Sequence, residues 1–186
     1  GECSNLPLLD HVASFGKPMI VSTGMHDTAG LRPTVDLLRS HRVPFALLHC
    51  TSVYPTPPSL VRLGALAELR EAFPDAVIGL SDHTLNNHTC LAAVALGASI
   101  LERHFTSDAT WPGPDIEVSM DPPALADLIV GANEIHAAVG GSKTVLDEEQ
   151  VTIDFAFASV VSIAPVRAGS PFDASNTWVK RPGDGE

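Results

Sequence analysis

Four short aliphatic runs, KPMIVSTGM, VPFALLHC, AVIGLSDH and SILERHF, recur along this chain with a helix-like segment between each and the next. None of them alternates apolar with polar residues. A strand that is apolar on both sides needs cover on both sides, which is the pattern of a parallel sheet beneath helices. The intervening segments LRPTVDLLRSHR, VRLGALAELREAF and NNHTCLAAVALGA read as helices, the second with apolar residues at helical spacing. LPLLDHVASFG reads as a helix ending at Gly16, and PPALADLIVGANEIHAAVG as a last helix ended by Gly140 and Gly141. Strand and helix in regular succession predict an α/β fold. Four βα units are half of a (β/α)8 TIM barrel, which takes about 250 residues. The opening Gly1-Glu2-Cys3-Ser4-Asn5 reads as a loop following a strand, so the expectation is the second half of such a barrel. A four-stranded doubly wound domain is the alternative.

The tail changes character. It has few helical signals, many Pro, Gly, Ser and Asp residues, and one β-prone patch, FAFASVVSIA. The predicted organisation is a half-barrel over residues 1–142 and, over 143–186, a linker leading towards a further domain. With 186 residues and 45% apolar content the chain supports one good core. Its 11 basic residues stand against 22 acidic ones, a formal charge of -11, so the basic stripe of a nucleic-acid interface is absent. Such a chain binds an anion only through a local set of donors or a metal. Cys3, Cys50 and Cys90 are odd in number and form no CxxC pair. That argues against a disulfide scaffold or thiolate zinc and suits a reducing cytoplasm. No charged leader and no bilayer-length apolar run stands in the sequence, so no membrane partner is expected.

The chemistry concentrates at the strand ends. His83 closes AVIGLSDH and His104 closes SILERH, which puts two imidazoles on neighbouring parallel strands. Side chains alternate across a strand, so Ser81 shares a face with His83 and Glu102 with His104. Two neutral imidazoles aimed at one point suit a divalent metal, and so few protein ligands leave positions open for water and substrate. The competing role for each histidine is a hydrogen bond to a neighbouring loop. Asp82 and Arg103 fall on the opposite face and are expected to pair behind the sheet. His49, at the end of ALLHC, reads as a satisfied core histidine. Hydroxyls recur along the same rim at Ser22, Thr23, Thr51, Ser52 and Ser81, where they either hold an oxyanion or cap turns. Tyr54 before Pro55 and Pro57, and Asp115 in TWPGPDIEVS, sit in rigid loops that bring polar groups to a substrate or simply cover the sheet end.

The segments GECSNLPLL, KPMIVSTGM, ALLHCTSVYPTPP, IGLSDHT, AVALGASILERHFT, WPGPD and VKRPGDG, long and in order, resemble the bacterial sialic acid (N-acetylneuraminate) synthase family. The resemblance implies a (β/α)8 barrel followed by a linker and a small antifreeze-like domain, with this chain matching the second half-barrel and the linker. It implies condensation of phosphoenolpyruvate with open-chain N-acetylmannosamine, assisted by a divalent metal, commonly Mn2+, with Mg2+ or Co2+ as substitutes. His83 and His104 would be the metal ligands and, with Glu102, the catalytic residues. Ser22, Ser52 and Ser81 would surround phosphoenolpyruvate; relatives often carry Asn at position 52. Tyr54 and Asp115 would meet the sugar, and Glu2 and Glu102 would stand in the active-site shell. Such enzymes are usually domain-swapped homodimers. Their phosphate-binding lysines belong to the other half-barrel, and neither Lys17 nor Arg103 takes that place. Synthases of legionaminic or pseudaminic acid share most of these motifs. A half-barrel alone is expected to be inactive, and a non-catalytic fragment is the remaining alternative.

Overall fold

The strands β1 (Met19–Ser22), β2 (Phe45–Cys50), β3 (Val77–Asp82) and β4 (Ile100–Arg103) form one sheet in chain order, every pair parallel. The structure is a computed structural model that describes residues 2–181, so positions 182–185 of the VKRPGDG block lie outside the described residues. Parallel neighbours need crossovers. These are α2 (Thr28–His41), then α3 (Pro58–Val61) with α4 (Ala65–Ala72), then α5 (His88–Ala95). The helix α1 (Leu6–Ala13) precedes the sheet and α6 (Pro122–Ala138) follows it. The result is a curled half-barrel. The doubly wound alternative fails because the strand order 1-2-3-4 contains no reversal and hence no switch point.

Alternation gives the sheet two unlike faces. Met19, Val21, Phe45, Leu47, Ile78 and Leu80 point one way and share a core with Leu31, Val35 and Leu38 of α2, Leu66 and Leu69 of α4, and Cys90 and Ala93 of α5. The other face bears Ile20, 59% exposed, and Val77, 46% exposed, at its lower end, with Ser22, Ser81 and Glu102 above them. That open face is the inner wall of the half-barrel.

Helix boundaries follow local chemistry. α2 starts three residues earlier than LRPTV suggests, because the Asp27 side chain accepts from Gly30 N at 2.7 Å and caps it. The single helix expected over 61–73 is instead two, since Arg62 adopts a left-handed φ of 55° between α3 and α4. The loop expected over 51–59 is correspondingly shorter.

The described residues from Gly141 onwards cluster as a second unit. In that unit α7 (Gln150–Ala156) is followed by β5 (Ser159–Ser162) paired antiparallel with β6 (Thr177–Lys180). The sequence reading missed α7 and assigned part of it to the β-prone patch. Asp147, Glu148 and Glu149 lead into the helix where its amide dipoles favour acid groups, and Leu146 N donates to Glu149 Oε2 at 2.9 Å.

Candidate active site

β3 and β4 pair Ser81 with Glu102 and Asp82 with Arg103, so continuing the register sets His83 opposite His104 just beyond the strand ends. Their ring centroids are 5.2 Å apart at an interplanar angle of 78°. Tyr54 lies against both, 4.0 Å from the His83 ring and 5.8 Å from the His104 ring. One layer lower, Ser81 Oγ donates to Glu102 Oε1 at 2.7 Å. Asp115, from the loop after β4, brings Oδ2 to 3.6 Å from His104 Nδ1. His104 and Asp115 also line a cavity of about 320 Å³ with Phe105, Gly113, Pro114 and Ser119. Thus His83, His104, Tyr54, Asp115, Ser81 and Glu102 converge.

The remaining predicted residues are placed differently. Ser52 continues the β2 register to the layer of His83, where Gly24 packs beneath its hydroxyl and Cys50 Sγ lies 3.8 Å away. Ser22 is half-buried, opposite Leu48, lower on the same face. Exposed Glu2 accepts from Asn5 Nδ2 at 2.9 Å, in the turn before α1. Neither Glu2 nor Ser22 is engaged with the histidine pair. Trp111 is exposed.

The donor set fits a divalent cation. Thr51 O lies 3.0 Å from His83 Nδ1. A carbonyl only accepts, so that nitrogen carries the proton and Nε2 keeps its lone pair. Asp115 Oδ2 faces His104 Nδ1 at 3.6 Å, beyond direct hydrogen-bond reach. Among the described residues no three His, Cys, Asp or Glu side chains form a metal cluster, and Glu102 engages Ser81 instead. The set is therefore two imidazoles with open positions. Burial pushes the Tyr54 phenol above its ordinary range, and negative charge on Cys50, Asp115 and Glu102 adds to this, so the phenol remains a hydrogen-bond donor.

Behind the sheet, Asp82 and Arg103 pair as expected, with side chains 1% and 4% exposed. His49 is buried, and its Nε2 donates to Val61 O at 2.6 Å, the satisfied core role. Sequence reasoning missed Thr51 as the group that orients His83, since a backbone carbonyl leaves no mark on residue type. It also missed Thr84 and Thr89, whose hydroxyls reach Asp82 at 2.7 and 2.8 Å.

Residues 1–144 match the sequence profile of the NeuB family. An N,N'-diacetyllegionaminic acid synthase of Campylobacter jejuni is 38% identical, the match covering 100% of this chain and 56% of that protein. An N-acetylneuraminate-9-phosphate synthase of Mus musculus is 34% identical over 97% of this chain and 50% of its own length. Among solved structures, an N-acetylneuraminic acid synthetase from Leptospira borgpetersenii, in complex with citrate, superposes with a TM-score of 0.75 at 34% identity, covering 82% of this chain and 53% of that one. The chain spans about half the length of the curated relatives it matches.

Proposed function

Because this chain belongs to the NeuB family, we propose that the intact protein is a sialic acid synthase. It joins phosphoenolpyruvate to the open-chain aldehyde of N-acetylmannosamine and yields N-acetylneuraminate and inorganic phosphate. The observation that carries this reading is the pair of imidazoles, His83 and His104, whose rings meet beside Tyr54 at the end of the sheet, with His83 Nδ1 engaged by Thr51 O and His104 Nδ1 facing Asp115. His83 and His104 would hold a divalent metal, Mn2+ first and Mg2+ or Co2+ as substitutes. When bound, the cation supplies Lewis-acid polarisation of the sugar carbonyl and charge stabilisation of the alkoxide that forms there.

The chain's own residues divide the remaining work. Tyr54, on the rings, and Asp115, on the rim, orient the sugar hydroxyls. Ser22 and Ser52 offer hydroxyl donors to phosphoenolpyruvate along the open face, Ser81 lies beside it with its proton on Glu102, and Glu2 is assigned to the surrounding shell. The enol carbon attacks the aldehyde carbon, water adds to the resulting cation at C2, and phosphate departs by C–O cleavage. Glu102, one oxygen fixed by Ser81 at 2.7 Å, is the group that positions this water and takes its proton. The reading includes a cytoplasmic homodimer.

The test is phosphate release by the intact protein given phosphoenolpyruvate and N-acetylmannosamine, with and without Mn2+. Metal-dependent release supports the reaction, and none with either sugar class sinks it. A second reading changes only the sugar, because a 38% identical relative is named a legionaminic acid synthase. Faster turnover of a diacetamido sugar than of N-acetylmannosamine would select it.

A further inference from the structure

Asp82 immediately precedes His83, and Arg103 immediately precedes His104; the two are register partners on the helix-covered face. Their contacts are not those of a simple ion pair. Arg103 Nε stays 3.8 Å from Asp82 Oδ2 and has no hydrogen-bond partner among the described residues. The guanidinium instead spends its other nitrogens on the loop that leaves His83. Nη1 donates to Asn86 O at 2.7 Å and to Asn87 Oδ1 at 3.1 Å, and Nη2 donates to Thr84 O. Asp82 grips the same loop from the other side. It accepts from Thr84 N at 3.3 Å, from Thr84 Oγ1 at 2.7 Å and from Thr89 Oγ1 at 2.8 Å. Asn87 in turn donates to Ala124 O and Asp127 Oδ2 of α6, at 2.9 and 3.0 Å.

A buried ion pair is weak evidence for stability, because desolvation offsets much of the attraction. A pair kept only to neutralise charge would close to a two-pronged contact. This one forgoes that contact and reaches acceptors on both sides of the turn after His83. One network therefore fixes the backbone on which both imidazoles are carried. We propose that Asp82 and Arg103 are positioning residues for the histidine pair, a charge-balanced brace behind the sheet that sets where His83 and His104 present Nε2. This deepens the reading of the site as a metal-dependent synthase and rests on it.

Arg103→Lys keeps the charge but cannot reproduce the forked donors. In the intact protein, three quantities are compared with wild type: the melting temperature, the affinity for Mn2+ alone, and the ring 15N shifts of His83 in the metal-free state. The expected result is a folded variant that binds Mn2+ about 10- to 100-fold more weakly. Its kcat falls more than its KM rises, and its His83 shifts move from a single tautomer towards an average. A folded variant with unchanged Mn2+ affinity and unchanged His83 shifts overturns the proposal. If Arg103→Lys does not fold, Thr89→Val decides. It removes one donor to Asp82 and keeps both charges, so several-fold weaker Mn2+ binding supports the brace and wild-type binding overturns it. If wild type itself binds no Mn2+, the functional reading has failed separately, and the metal-free 15N shifts alone judge the brace by the same criterion.

Discussion

His49 and His83 end neighbouring strands, yet one residue of alternation gives them unlike chemistry. His49 falls on the helix-covered face, and burial pulls its imidazole below the usual 6.5, with Arg62 adding to this while Val61 O and Glu68 oppose it. A folded-state value below the unfolded one means that the unfolded chain takes up the proton first. The stabilising difference is complete above pH 6.5 and is lost as the pH falls from there towards the lowered value. Urea titrations between neutral and mildly acid pH should show stability falling with acidification, and His49→Gln should flatten that slope. An equal slope in the variant would remove His49 as its source. His83, on the open face, has its Nδ1 tied to Thr51 and its Nε2 free. Replacing His83 with Ala should take turnover of the intact protein down to its metal-free background, measured as phosphate release. The sequence made His83 and His104 visible through their position at strand ends. The orientation of the His83 ring was not legible, because it depends on the Thr51 carbonyl from the loop after another strand.

Among the elements, β3 carries the tightest constraint. A Cβ on Gly79 would lie 2.5 Å from the Ile100 carbonyl oxygen of β4 and against Leu48 Cδ2 of β2. The backbone oxygen cannot retreat without parting β3 from β4. Gly79→Ala should therefore cost about 1–3 kcal/mol in a denaturant titration, the range of overpacked cores. Gly24→Ala is the contrast. Its Cβ would meet the Ser52 hydroxyl and Cys50 Sγ, side chains that can turn away, so it should cost less. The reverse order would show that the sheet yields more easily than the rim. Strand positions and helix identities were legible because burial on two faces and helical spacing are local signals. The break at Arg62 and the start of α7 were not, since a left-handed residue and a weak seven-residue helix leave little trace in composition.

At the scale of the whole molecule, the half-barrel leaves its inner wall and two strand edges open. Among the described residues β1 and β4 each have one strand neighbour, and Ile20 and Val77 are exposed on the inner face. Unpaired edges beside exposed aliphatic side chains favour association. Residues 1–186 expressed alone should self-associate in size-exclusion chromatography with light scattering, and a monodisperse monomer would contradict this. The sequence by itself determined the α/β class, the order of the βα units, the strand-end location of the histidines and the face of the sheet on which Asp82 and Arg103 fall. Local period and alternation along the chain suffice for each of these. Tertiary structure alone decided that Tyr54 and Asp115 meet the two imidazoles while Glu2 and Ser22 stand apart, and that Asp82 and Arg103 grip the loop after His83. Those relations join residues from different strands and loops, and only the register between strands and the path of the loops brings them together.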